Sequence, residues 1–371
     1  MRFKRIFLRP VCRLFLNLSV PSVMLCCVAC STQQGNQEQM VDLQEVKDNP
    51  EAQLVNLNAA IAQSKRDGSL FTRRAVILFK DNKLPEALQD INEAIRLTKN
   101  EPYNLFVKAQ VLRAMGRYEE ALPLALQAER NSYTNSSLYV LLGEMYLRRG
   151  EYAEARKYIQ KAQELSPSNE FAFYYKGRVL EATGDTAYAV DNYKAALREN
   201  PGLMEPKREL AGIFVRQLNL QEARPYLQEA YRQAPDDALL SFYRGLLYEA
   251  AHKADSSQLF LKRAVALNDT LQEAHYKLGL VLYARGDNFG AIAHLEKAAK
   301  AYGGTTKYSA TLASAYERTE QNIKSLQEYQ RLTQLEPTYT YAYQAVARLR
   351  YKLQRQRADS TAAARNRTLE Q

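Results

Sequence analysis

The stretch YVLLGEMYLRRGEYAEARKYIQKAQELSP, from Tyr139 to Pro167, decides how the whole chain is read. Its landmarks are Tyr139, Leu142-Gly143, Tyr146, Gly150, Ala155, Ile159, Ala162 and Pro167. Outward from here the small residues return every 34 positions. One column runs Ala75, Ala109, Gly143, Gly177, Ala211, Gly245, Gly279, Ala313, Ala347. A second runs Ala87, Ala121, Ala155, Ala189, Ala223, Ser257, Ala291, Ser325, and a third Ala60, Ala94, Ala128, Ala162, Ala196, Ala230, Ala264, Ala298. Three columns held in phase over this length mark a repeat architecture. Larger side chains at such places would force neighbouring elements apart.

The punctuation agrees. Pro167, Pro201, Pro235 and Pro337 stand between repeats, where proline stops the preceding helix. Gly116, Gly150, Gly184 and Gly286 stand at a turn inside the repeat, where a residue without Cβ is cheapest. Apolar residues between these marks follow the i, i+3, i+4 spacing of half-buried helices. This gives eight copies: 68–101, 102–135, 136–169, 170–203, 204–237, 238–271, 272–305 and 306–339. The fifth has Leu218 at the Gly turn. The eighth has Glu320 there and Leu332 in the third small column. Gly303-Gly304 replaces proline at one junction, which reads as a looser joint. Residues 48–67 carry only the second half of the pattern, and residues 340–357 only the first. Both read as capping helices, with a frayed tail over 358–371. The basic run Arg348, Arg350, Lys352, Arg355 and Arg357 reads as the solvated face of the terminal cap. A site for an acidic partner is the other reading.

The pattern resembles the tetratricopeptide repeat, a helix–turn–helix unit of about 34 residues. The resemblance implies an all-α fold: a right-handed α-solenoid of eight such repeats with terminal capping helices. It also implies that the first helix of each repeat lines an inner groove for protein partners. Residues placed there are Tyr103, Phe106, Phe171, Tyr174, Arg178, Glu181, Arg208, Phe242, Tyr243, Glu249, Tyr276, Lys277 and Tyr283. Aromatics among Arg and Glu suit a protein interface. Any one of the aromatics can instead pack between neighbouring repeats, and the sequence leaves both open. Family members that clamp a chaperone C-terminal carboxylate use Lys and Asn one turn apart. The pairs here include Thr72/Val76, Phe106/Gln110, Val140/Glu144 and Tyr174/Arg178, so that clamp is absent.

The formal charge of +10 is concentrated at the N-terminus, where Arg2, Lys4, Arg5, Arg9 and Arg13 precede any acid. Setting these five aside leaves about +5, too little over a long array to argue for nucleic acid. A basic segment, then the short apolar run 14–29, has the pattern of a secretory signal peptide over 1–29. The run is too short and interrupted for a permanent membrane helix. Cys27-Val28-Ala29-Cys30-Ser31 resembles a bacterial lipobox, although Cys27 stands where Leu is usual. That resemblance implies cleavage before Cys30 and its lipidation, giving a stable anchor. Ser31, rather than Asp, favours the outer membrane by similarity to Gram-negative lipoproteins. Residues 30–47 then form a lipidated terminus and a polar, Gln-rich tether. All four cysteines lie at or before position 30, so the repeats carry no disulfide framework or cysteine metal site.

No catalytic motif appears. His252 falls in a turn. His275 and His294 fall on the two helices of one repeat at packing columns, without a completing ligand set. The expectation is a non-enzymatic scaffold without cofactor or metal, binding protein partners in the bacterial envelope. The alternative is an accessory subunit of an envelope enzyme or of a secretion or pilus assembly machine.

Overall fold

The structure is a computed structural model and describes residues 49–369. The signal segment, the lipobox with Cys30 and the tether lie outside the described residues. The chain divides into two units, Met1–Gln53 and Leu54–Gln371, and the repeats belong to the second.

Eighteen helices follow one another among the described residues. After α1 (Pro50–Gln63) come eight pairs: α2 (Gly68–Lys80) with α3 (Leu84–Thr98), α4 (Pro102–Ala114) with α5 (Tyr118–Arg130), α6 (Ser136–Arg148) with α7 (Tyr152–Leu165), and α8 (Glu170–Ala182) with α9 (Thr186–Glu199). Then come α10 (Met204–Arg216) with α11 (Leu220–Gln233), α12 (Ala238–Ala250) with α13 (Ala254–Leu267), α14 (Gln272–Ala284) with α15 (Asn288–Tyr302), and α16 (Thr306–Arg318) with α17 (Asn322–Leu335). A single helix, α18 (Thr340–Leu369), ends the array. Every first helix starts 34 residues after the previous one, and so does every second helix.

Local chemistry sets these boundaries. The side chains of Asn135, Asn169 and Asp237 accept hydrogen bonds from the amides of Ser137, Ala172 and Leu240, capping α6, α8 and α12. Each first helix ends in the same closed turn. The amide one residue past the turn bonds back to the fifth carbonyl before it, as in Glu151 to Tyr146 at 2.9 Å and Asp185 to Leu180 at 2.8 Å. The turn residue lies in the left-handed region at all eight copies. Four are Gly116, Gly150, Gly184 and Gly286, and the others are Asn82, Leu218, His252 and Glu320.

A left-handed conformation costs a residue with a Cβ roughly 1–2 kcal/mol, and Leu218 is 72% exposed, so packing returns little. Part of that gain is offset by the greater unfolded-state freedom of glycine. Leu218→Gly is therefore expected to stabilise the array by about 1 kcal/mol. A urea midpoint that stays put or falls would refute the strain.

The small columns form the core. Ala75, Ala109, Ala211 and Ala313 are fully buried, as are the second-column alanines. In the eighth copy Leu332 fills the third column. It is accommodated because Ala342 and Ala345 of α18 face it in the same cluster as Tyr329 and Leu349. The junction at Gly303 is closed rather than loose. Gly303 is buried, and a Cβ there would fall 3.1 Å from Arg331 Nη2 of α17 across the joint. The tail also differs from expectation: α18 continues to Leu369 instead of fraying after 357. Ala362, Ala363 and Ala364 have the highest helix propensity, which favours continuation. At the other end α1 buries none of its residues. Half-buried Leu54 packs on Leu78, Ala87 and Val111.

Candidate protein-binding cleft

The first helices α4, α6, α8 and α10 line an open cleft of about 800 Å³. Glu144 of α6 is buried at its floor and is shared by two guanidiniums: Arg113 Nη1 at 3.3 Å from Oε2, and Arg148 Nε at 3.3 Å from Oε1. The Arg148 guanidinium also lies 4.1 Å over the Tyr118 ring. Burial, and then the Glu144 carboxylate beside it, push the Tyr175 phenol far above its ordinary range.

A second group stands one helix further on. Arg178 Nη1 donates to the Tyr174 hydroxyl at 3.1 Å and to Glu209 Oε1 at 3.4 Å. Arg208 donates to Glu209 through Nη2 at 3.0 Å and to Asp237 through Nη1 at 3.0 Å. Burial opposes the charge on both arginines. Glu209 outweighs it, helped by Tyr174 for Arg178 and by Asp237 for Arg208, so both are held firmly cationic. Phe171, 42% exposed, supplies an apolar contact on the same lining. The result is a cleft with an aromatic wall and forked donors fixed in place by buried Glu144 and half-buried Glu209 and Asp237.

Four of the expected groove residues meet here: Phe171, Tyr174, Arg178 and Arg208. The others are elsewhere. Tyr103 is exposed, in a ring cluster with Phe106 and Tyr133, and Phe106 itself is buried. Glu181 accepts the Tyr193 hydroxyl at 2.7 Å. Phe242 is 0% exposed, a core residue rather than a groove residue. Tyr276 is buried and stacks on Tyr302 at 4.1 Å. Glu249 and Lys277 pair with each other at 3.1 Å. The Tyr283 hydroxyl bonds to Ser314 Oγ at 2.8 Å under the Arg318 guanidinium. Tyr243 fills the inner face instead of lining it. Its ring occupies the space left by Gly212, where a Cβ would come within 2.6 Å of Tyr243 Cζ. Arg216 covers that ring at 5.3 Å and pairs with Glu273.

Arg113, Arg148 and Tyr175 were not expected at the site, and Glu144 was a groove-face position not singled out as functional. A signal for them exists in the sequence. Arg113 and Glu144 are 31 residues apart, as are Glu144 and Tyr175, Arg178 and Glu209, and Glu317 and Arg348. A step of 34 less one helical turn carries a side chain to its neighbour on the next first helix.

The two packing histidines do meet. His275 Nδ1 lies 2.8 Å from His294 Nδ1, and His275 Nε2 lies 3.0 Å from the Asp269 carbonyl oxygen. Among the described residues no group of three or more ligands forms a metal site. Burial, and then His275, hold His294 below the ordinary imidazole range. The folded state therefore favours the neutral ring. Stability is full above the unfolded value of about 6.5 and falls as pH drops from there toward the folded value. Melting temperature is expected to fall between about pH 7 and pH 5, with a shallower fall in His294→Gln. Equal slopes for the two proteins would exclude this pair as the cause.

An array of in-phase helix pairs with an open inner cleft defines a helical protein–protein interaction scaffold. A family model for the tetratricopeptide repeat matches residues 106–170 and 208–270, and the chain is a tetratricopeptide-repeat protein. A TPR repeat-containing protein of Methanocaldococcus jannaschii is 24% identical over 246 residues, covering 61% of this chain and 43% of that one. A Homo sapiens protein O-mannosyl-transferase is 26% identical over 215 residues, covering 57% of this chain and 23% of that one. The chain thus spans less than half the length of either relative. In the crystal structure of an APC/C hetero-tetramer one chain shares the fold, with a TM-score of 0.60 and 16% identity. The match covers 82% of this chain and 60% of that one.

Proposed function

We propose that the protein is a membrane-anchored adaptor of the bacterial envelope, holding an extended segment of a protein partner in the cleft between α4 and α10. The cleft itself carries this reading. It runs open across four successive first helices, and its lining of Phe171, Arg113, Arg178 and Arg208 suits an extended peptide. The partner's backbone carbonyls would meet guanidinium donors already oriented by Glu144 and Glu209, which lowers the ordering cost of binding. Phe171 would serve as the apolar anchor. The lipobox-like Cys30, preceded by a basic and apolar leader, supports attachment to the outer membrane, on its periplasmic face or at the cell surface.

Affinity capture from detergent-solubilised membranes tests the cleft. Phe171→Ala combined with Arg113→Ala should lose the partners that the unaltered protein retains. Recovery of the same partners would place binding elsewhere. Cys30→Ala tests the anchor separately: the protein should leave the membrane pellet or remain unprocessed, and normal processing with normal pelleting would refute it.

A further inference from the structure

The first small-residue column has a physical role at each repeat. Where it is glycine, it receives a large side chain from the second helix, 16 residues further on. A Cβ at Gly143, Gly177, Gly245 or Gly279 would lie 2.6–2.8 Å from Ile159, Tyr193, Leu261 or Leu295. All eight members from Ala75 to Ala313 are buried. The ninth, Ala347, is exposed. Helix α18 begins in phase as the first helix of a ninth repeat and buries Ala342, Ala345 and Leu349 against the eighth. It then runs straight through position 354, where every earlier copy turns, and so forms no second helix to cover Ala347.

The uncovered face is not the polar surface expected of a cap. Tyr343 and Tyr351, four residues either side of Ala347, are 50% and 68% exposed. Around them the chain is strongly basic. Residues 340–360 hold five cations against Asp359 alone. Arg348 is engaged by Glu317 at 2.8 Å, whereas Arg350, Lys352 and Arg355 lie on exposed positions.

We propose that this face binds an acidic amphipathic helix of a partner protein, which completes the ninth repeat. The incoming helix places a Leu, Ile or Tyr side chain over Ala347, as the second helices do elsewhere, between Tyr343 and Tyr351. Acidic residues on its two sides meet Arg350 on one side of Ala347 and Arg355 on the other. The charge pattern argues against a second copy of α18, which would bring cations onto cations. This surface is separate from the inner cleft and does not depend on what the cleft binds.

The probe is a labelled peptide with the sequence of residues 152–165, in which Arg156, Lys157 and Lys161 are each replaced by Glu. It keeps Ala155, Ile159 and Ala162 on its seam. Fluorescence anisotropy with the full chain should show saturable binding that weakens with salt. Ala347→Leu fills the notch at an exposed helical position, so the melting curve should be unchanged while binding weakens at least tenfold. Three results overturn the proposal: no binding by the unaltered chain, equal binding by Ala347→Leu, or loss of binding in Phe171→Ala, which would place the peptide in the cleft. Concentration-dependent self-association in light scattering, abolished by Ala347→Leu, would assign the face to a second copy instead.

Discussion

Replacing Tyr193 with alanine is expected to destabilise the array by about 3–5 kcal/mol. The side chain is among the largest that are fully buried. Its ring rests on Gly177, where a Cβ would meet Cε1 at 2.6 Å, and it lies 5.9 Å from the Tyr174 ring. Its hydroxyl donates to Glu181. Alanine would leave a cavity between α8 and α9 and remove the donor from that carboxylate. Because a repeat array is stabilised by local units and their interfaces, the damage should appear first within 170–203, as faster amide exchange there before global melting. A second substitution checks the geometry. Gly177→Ala alone should destabilise, since the ring has nowhere to go. In the Tyr193→Ala background the ring clash is gone, leaving a 3.2 Å approach to the Ala189 carbonyl oxygen, and alanine's helix propensity, worth about 1 kcal/mol over glycine, should make the same change neutral to stabilising. If Gly177→Ala has the same effect in both backgrounds, the ring is not what requires glycine.

Most of the fold was readable from the sequence because its determinants are single-residue properties repeated at one period. Small residues mark where helices meet, and Gly150 or Pro167 marks where they stop. A column of identical constraints survives individual departures: Leu218, His252 and Glu320 adopt the glycine conformation because the closed turn around them is retained. The cleft was only partly readable because its determinants are pairs. Arg208 and Tyr243 occupy corresponding regions of neighbouring first helices, yet one lines the cleft and the other fills the inner face. The difference lies 31 residues before Tyr243, where Gly212 leaves room for a ring. Glu144 looked unremarkable in its own column. It becomes the floor of the site only when Arg113 and Tyr175, 31 residues to either side, are considered with it. The length of α18 depended on the absence of a turn signal near 354 together with the alanines at 362–364, two features far apart along the helix.

Phe242→Ala and Phe171→Ala should behave oppositely, although both residues were placed in the groove by sequence. Phe242 has no exposed surface and belongs to the large core cluster with Leu240, Leu246 and Leu261. Its truncation should cost about 3–5 kcal/mol. Phe171 is 42% exposed on the cleft wall, so its truncation should cost far less, about 1 kcal/mol. Urea denaturation of the two variants separates the cases, and equal midpoints would mean that Phe242 is not a core residue. The distinction governs how binding experiments are read. Loss of a partner by Phe242→Ala, or by truncation of buried Tyr174 or Tyr276, would report unfolding of the scaffold. Loss of a partner by Phe171→Ala, with its melting curve intact, would report a lost contact. A wall residue that can be removed at little cost to the fold is what a binding surface requires, because its side chain is held in position by the scaffold and contributes little to holding the scaffold together.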